Sequence, residues 1–128
     1  MSLRNNNLGS INKPGFNALG AQTNVTTYTY ELYSWGGNGY GQLGLGNTTN
    51  YSSPKQVGAL TSWSSLSNGI EHAVSLKTDG TLWTWGRNVY GSLGFGNTTN
   101  YSSPKQVGAL TTWLTIDGGS FTTLALLY

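Results

Sequence analysis

The sequence NTTNYSSPKQVGALT, at Asn47–Thr61, recurs without a change at Asn97–Thr111. The repeat has a period of 50 residues and extends beyond this stretch on both sides. The flanking identical pairs are Trp35/Trp85, Gly36/Gly86, Asn38/Asn88, Tyr40/Tyr90, Gly41/Gly91, Leu43/Leu93, Gly44/Gly94, Gly46/Gly96 and Trp63/Trp113. A repeat of this length predicts a solenoid, propeller or array, in which one repeat cannot bury its apolar face alone.

Strand and turn signals fill each repeat. Ala73–Lys77 and Thr81–Trp85 are β-prone segments separated by Thr78-Asp79-Gly80, and an Asp-Gly pair is typical of a tight hairpin turn. Ser53–Val57 is a shorter extended segment whose proline favours a strand start or a sheet edge. Gly41, Gly44 and Gly46 predict a compact loop. No sustained helical period is present, so we expect an all-β fold.

Composition supports the same class and excludes several functions. Only 8% of the 128 residues are charged and 12% are aromatic, and this aromatic content is too high for a disordered chain. The net charge is +2, and the sequence contains no run of Lys or Arg that could follow a phosphate backbone, so we expect no nucleic-acid binding. The absence of cysteine excludes disulfides and thiol chemistry. No segment is apolar for the length of a membrane span, and we expect no membrane partner.

The segments LYSWGGNGYGQLGLGNTTNYSSPKQV and GIEHAVSLKTDGTLWTWGRNVYGSLGFGN resemble the RCC1 repeat, one blade of an RCC1-type β-propeller. The resemblance covers about Leu32 to Leu127 and rests on a W-G-x-N-x-x-G-x-L-G-x-G loop, an S-P-x-x-V segment and the hairpin. Kelch repeats have a similar length, but the paired glycines Gly36-Gly37 occur in one copy only. The resemblance implies a seven-bladed propeller, whereas two repeats are present here.

The two repeats are out of phase with the chain. Ser120–Leu127 aligns with the first arm of the hairpin, and Tyr30–Trp35 aligns with its second arm. We therefore predict that 28–128 forms two blades and that 30–35 of one subunit pairs with 122–127 of the next, giving a homotrimer or homotetramer. The predicted interface residues are Tyr30, Leu32, Tyr33, Trp35, Thr122, Leu124 and Leu126.

Residues 1–27 precede the repeats and are rich in Asn, Gly, Ser and Thr. One interpretation is a disordered tail. The other is an extended arm that docks on a partner, through spaced apolar residues and a Lys-Pro-Gly turn. The candidate docking residues are Leu8, Ile11, Pro14, Phe16 and Leu19.

Motifs that could carry chemistry are weak. Gly39–Gly44 satisfies G-x-G-x-x-G, but Val89 replaces its first glycine in the second repeat and no helix is predicted after it, so we expect no dinucleotide cofactor. His72 is the single histidine, and the second repeat has Thr122 in its place, which indicates a packing role rather than catalysis. The scattered acidic residues predict no metal site. We expect Lys55, Arg87 and Lys105 to be solvated.

The aromatic residues divide into two groups. The tryptophans fall in predicted strands and are expected in the core or between blades: Trp35, Trp63, Trp83, Trp85 and Trp113. The tyrosines of the polar loops are candidate contacts for a sugar or a protein partner: Tyr40, Tyr51, Tyr90 and Tyr101.

The functional prediction is a non-enzymatic structural or interaction protein without cofactors that assembles with itself. The chain resembles small phage proteins with RCC1 repeats, which implies a virion component (a head decoration, fibre or tail-associated protein) whose arm meets other virion proteins. The alternative is a cellular propeller module, cytoplasmic or extracellular, for a protein or carbohydrate partner. Nucleotide exchange on a GTPase belongs to complete members of the family with an acidic rim, which this chain lacks.

Overall fold

A computed structural model describes residues 28–59 and 62–128. Over these ranges the chain forms eight β-strands and no helix, as the sequence predicts: β1 (Tyr33–Gly36), β2 (Tyr51–Gln56), β3 (Trp63–Asn68), β4 (His72–Lys77), β5 (Leu82–Gly86), β6 (Tyr101–Gln106), β7 (Trp113–Gly118) and β8 (Thr123–Leu127). The proposed arm, including Leu8, Ile11, Pro14, Phe16 and Leu19, lies outside the described residues. No helix in the described ranges is long and apolar enough to cross a membrane.

One complete blade lies in the middle of the chain. Strands β3, β4, β5 and β6 form a four-stranded antiparallel sheet in sequence order. The β4–β5 hairpin confirms the predicted one, and its turn depends on Gly80, whose φ of +83° suits glycine. Strand β6 contains the proline and lies at the edge of the sheet, which agrees with the prediction for this segment.

Half a blade lies on each side of the complete one. The β1–β2 pair has the same register as the β5–β6 pair of the complete blade. Its partners Tyr33↔Gln56 and Ser34↔Lys55 correspond, 50 residues later, to Trp83↔Gln106 and Thr84↔Lys105. The β7–β8 sheet repeats β3–β4 in the same way. The predicted phase offset is therefore present.

The first strand is shorter than the predicted segment 30–35. It begins at Tyr33, while Tyr30 forms an isolated parallel bridge with Ser62. One repeat later the amide of Trp113 donates to the carbonyl of Gly80, the residue that corresponds to Tyr30. This stretch therefore connects neighbouring blades and does not belong to the strand.

Two apolar clusters lie between consecutive sheets. The first joins the β1–β2 sheet to the complete blade and contains Leu32, Val57, Trp63, Ala73 and Trp85. Its tryptophans meet edge to face, with 5.8 Å between the ring centroids of Trp63 and Trp85. The second joins the complete blade to β7–β8 and contains Val74, Leu76 and Leu82, packed against Val107, Trp113, Ile116 and Ala125. Trp35, which was expected in the core or between blades, is instead exposed, and no strand of the described ranges lies on the open side of β1.

Candidate protein-interaction site

Each repeat contains a loop organised by one buried asparagine. The Asn88 side chain is fully buried, and its amide nitrogen donates to the carbonyl oxygens of Asn97 and Thr99 at 3.0 and 2.9 Å and to the Asn97 side chain. Its Oδ1 accepts from the Leu93 amide at 2.9 Å. Asn38 makes the same set of bonds in the first repeat. These bonds satisfy a buried amide completely and hold both loops in one shape.

The same loops account for the G-x-G-x-x-G motif. Gly41 and Gly44 have φ of +80° and +74°, and their amides donate to the carbonyl oxygens of Asn38 and Gly41. A dinucleotide site needs such amides directed at a pyrophosphate, at the start of a helix. Here a turn follows, so this segment is a blade loop, as predicted from the sequence.

The four candidate tyrosines are engaged within the chain. The guanidinium of Arg87 lies 4.5 Å from the ring centroid of Tyr40, and Tyr90 packs edge to face against Phe121 at 5.1 Å. Tyr51 and Tyr101 each accept a hydrogen bond from the loop asparagine four residues earlier. The Nζ atom of Lys55 lies 5.3 Å from the ring centroid of Tyr51, and that of Lys105 lies 5.3 Å from the ring centroid of Tyr101. Each of the four rings therefore has a partner within the chain, and a ligand contact by these tyrosines stays a prediction.

The remaining candidate side chains form hydrogen bonds or an ion pair with other groups of the protein. Arg87 pairs with Glu71 and is half-buried. His72 and Ser75 do not bond to each other, since Ser75 donates to the Ser65 carbonyl and His72 Nε2 lies 2.9 Å from Thr123 Oγ1. Within the described ranges no three acidic or histidine side chains are grouped as metal ligands. The packing role predicted for His72 agrees with this placement between two blades.

Burial makes His72 sensitive to acid. Desolvation lowers the pKa of His72 below its ordinary 6.5, and a hydrogen bond with the Thr122 backbone offsets only part of this. The folded state thus holds a neutral imidazole where the unfolded chain gains a proton, so stability is present above pH 6.5 and falls as the pH falls towards the lowered pKa. His72→Thr, which copies the second repeat, should flatten urea unfolding midpoints between pH 7.5 and 5. A midpoint that still falls equally in the variant would contradict this assignment.

The open edges are the strands β1 and β8. Among the described residues each pairs on one side only, whereas their equivalents β5 and β4 pair with each other in the complete blade. Side chains that are buried in the complete blade are exposed here: Trp35 is 58% exposed against 3% for Trp85, Leu124 68% against 0% for Val74, and Leu126 61% against 5% for Leu76. Tyr30 and Tyr33 are also exposed, Thr122 lies exposed one residue before β8, and Leu32 is already buried. The predicted interface residues thus lie at two separate edges of one chain.

An open cleft of about 500 Å³ lies beside β1, between that strand and the hairpin β3–β4. Leu32, Leu66, Ile70, Val74 and Trp85 are among the side chains that line it. A second cleft of about 410 Å³ lies one repeat later, beside β5 and β7–β8. Leu66 and Ile70 were not predicted from the sequence, although Leu66 aligns with Ile116, which packs in the second apolar cluster.

Comparison with known proteins supports this architecture. The family model described as regulator of chromosome condensation (RCC1) repeat matches residues 31–76 and 79–126, and a second model of the same description matches 63–92. Human WBSCR16 superposes with a TM-score of 0.65 at 25% identity over 77% of this chain and 27% of its own.

Two yeast structures superpose on this chain at lower identity. Prp20p from Saccharomyces cerevisiae, described with its binding to Gsp1p and histones, gives a TM-score of 0.66 at 19% identity over 79% of this chain and 27% of its own. Yeast RCC1 (Prp20) bound to Kap60 gives a TM-score of 0.62 at 17% identity over 89% of this chain and 33% of its own. The chain spans about a third or less of these propellers.

Proposed function

Since this chain belongs to the RCC1 repeat family, we propose that it is a non-enzymatic protein-interaction module that assembles with copies of itself through its two open strand edges. The supporting observation is that β7–β8 and β1–β2 are the two complementary halves of a blade. The complete blade of the same chain supplies the template, in which equivalent strands pair as β4 and β5.

The chemistry of the edges favours association over solvation. An unpaired strand edge offers a row of amide and carbonyl groups to another strand, and native proteins normally block such edges with charge or cover them. Here neither β1 nor β8 contains a charged residue, and Trp35, Leu124 and Leu126 are exposed there. The edges differ from each other, so the contact is head-to-tail and closes only as a ring. With two blades in each chain, a trimer has six and a tetramer eight, within the usual range of propellers.

Native mass spectrometry with a dilution series tests this assembly. We expect a trimer or a tetramer, and Leu124→Lys should raise the dissociation constant at least about thirtyfold, because a buried lysine without a partner is costly. Leu114→Lys is the matched control. Leu114 lies in β7 and its equivalent Ser64 lies in β3. Both side chains are exposed although each of these strands already has a neighbouring blade, so Leu114→Lys should assemble normally. A folded monomer at every concentration would contradict the proposal.

The finer proposal is a virion component, located in the particle and attached to other virion proteins by residues 1–27. Its support is the resemblance to small phage proteins with RCC1 repeats and the near-identity of the two repeats. Co-sedimentation of the chain with purified particles, lost when 1–27 are deleted, is the expected result. A particle-free ring that binds a protein or a carbohydrate would favour the cellular module instead.

A further inference from the structure

The cleft beside β1 is an incomplete copy of a contact that the same chain makes one repeat later. In the second apolar cluster, Val74 and Leu76 of β4 pack with Leu82 and with Val107, which follows β6 of the same blade, and against the next sheet at Trp113 and Ile116. A shift of 50 residues converts Trp113 and Ile116 into Trp63 and Leu66, and it converts Leu82 and Val107 into Leu32 and Val57, all within the chain. It converts Val74 and Leu76 into Leu124 and Leu126, which lie at the opposite edge of the chain.

We propose that the cleft between β1 and the hairpin β3–β4 receives strand β8 of a second copy of this chain, in the register of the complete blade. This inference rests on the proposed self-assembly and specifies its interface. At each junction one subunit supplies β7–β8 and the partner subunit supplies β1–β2. Leu124 and Leu126 fill the cleft and cover Leu66 of the partner subunit. Leu66 is 59% exposed within a single chain, whereas its equivalent Ile116 packs in the second cluster.

The register follows from the pairing of β4 with β5. There Val74 lies opposite Thr84, and Ser75 lies opposite Trp83. The equivalent trans pairs place Leu124 opposite Ser34 of the partner subunit and Ala125 opposite Tyr33 of the partner subunit. A slip of one residue would turn both leucines away from the cleft, because side chains alternate between the two faces of a strand. Apolar burial therefore selects this register.

A hydrogen bond also crosses each junction, from the β1 strand of the partner subunit to a loop of the subunit that supplies β8. In the first repeat the indole nitrogen of Trp85 donates to the Gln42 carbonyl of the preceding loop at 2.9 Å. The corresponding donor is Trp35 of the partner subunit, and the corresponding acceptor is the carbonyl of Ser92. The site for this ring is open, since a Cβ on Gly94 would find its nearest atom at 3.4 Å, on Val107, whereas a Cβ on the equivalent Gly44 would lie 2.7 Å from the Trp85 indole nitrogen. Gly94 thus leaves room for an incoming indole.

Disulfide trapping tests the register in a chain without cysteine. In the part of the chain that the structure describes, β1 and β8 lie in different sheets, so a disulfide between them joins two copies. Directly opposite residues of an antiparallel pair lie within disulfide range. The variant Tyr33→Cys/Ala125→Cys should give a covalent ladder on mild oxidation that ends at the ring number. Tyr33→Cys/Leu124→Cys, with the second cysteine one residue out of register, should give little.

The result separates this inference from self-assembly itself. If the wild-type chain assembles but the in-register pair links no better than the slipped pair, the docking is wrong and self-assembly stands. A chain that is monomeric at every concentration overturns both.

Trp35→Phe provides a second measurement that needs no cysteine. It retains a ring at the edge and removes the indole N–H, so it should raise the dissociation constant about threefold to tenfold. In Trp85→Phe the same change removes a bond within one chain, so that variant should lose stability while its assembly changes little. An unchanged dissociation constant for Trp35→Phe would overturn the assigned hydrogen bond.

Discussion

Replacing Asn88 by aspartate is expected to destabilise the fold by about 3–5 kcal/mol, a large part of the stability of a small domain. The change removes an amide donor that meets three oxygen atoms and puts a carboxylate oxygen in its place. The site is fully buried, so water cannot solvate the charge. Chemical unfolding in urea at pH 7 measures the loss.

Acid should partly reverse this effect. Burial among acceptor oxygens raises the pKa of the introduced carboxyl, so it is protonated in the folded state at a pH where the unfolded chain still ionises it. The neutral acid can donate one hydrogen bond, and the deficit relative to the wild type should therefore shrink as the pH falls from 7 towards 4. A deficit that does not depend on pH would show that shape alone, and not charge, causes the loss.

Asn100→Asp is the matched control for this substitution. Asn100 is exposed, and its Oδ1 accepts a hydrogen bond of 2.8 Å from the Asn88 amide. A carboxylate accepts that bond as well as or better than an amide oxygen, so the control should change stability by less than about 0.5 kcal/mol. The two variants make the same chemical change in one loop, but the Asn88 side chain donates hydrogen bonds in a fully buried site, whereas the Asn100 side chain accepts one in an exposed site. Equal losses in both would contradict the role assigned to Asn88.

Much of the fold could be predicted because the alignment of the two repeats shows which segments of one correspond to segments of the other. The Asp-Gly turn identified the hairpin Ala73–Trp85, and the 50-residue spacing placed the incomplete halves at either end. The buried asparagines were not predicted, although both recur three residues after a tryptophan. Asparagine is usually exposed in loops, and nothing local distinguishes a buried amide with four partners from a solvated one. Its partners are brought to it by the folded loop.

The two open strands of the candidate site could be predicted from the sequence, whereas the side chains around them could not. The alignment of Tyr30–Trp35 with the second hairpin arm located β1, but Tyr30 proved to be a connection, because bridges between blades depend on packing in three dimensions. The loop tyrosines were candidates for ligand contact, yet Tyr40 meets Arg87 from the next blade. Leu66 was missed for the same reason, since its importance depends on which neighbouring strand is present. Local sequence specifies strands well, whereas contacts between blades require the assembled geometry.

Gly86→Ala is expected to prevent stable folding, with a loss of about 3–5 kcal/mol, while Gly36→Ala should give a folded chain that no longer assembles. Both glycines have an unusual backbone conformation, with φ of +106° and +112°. A Cβ on Gly86 would lie 2.6 Å from the Glu71 carbonyl oxygen and 2.9 Å from the Cα of His72, whereas a Cβ on Gly36 has no atom of the described residues within 4 Å. The backbone strain is therefore shared, and the overlap with β4 belongs to Gly86 alone.

The pair of variants separates folding from assembly. In a single chain Gly36→Ala costs only the strain of its φ, about 1–3 kcal/mol. In the proposed junction the same Cβ would overlap the backbone at Phe121 and Thr122 of the neighbouring copy, which correspond to Glu71 and His72. Urea unfolding should rank Gly86→Ala far below Gly36→Ala, and native mass spectrometry should find Gly36→Ala monomeric. If Gly36→Ala formed the wild-type oligomer, β1 would not enter a blade at that position, because the space beside Gly36 would have to stay open in the assembly.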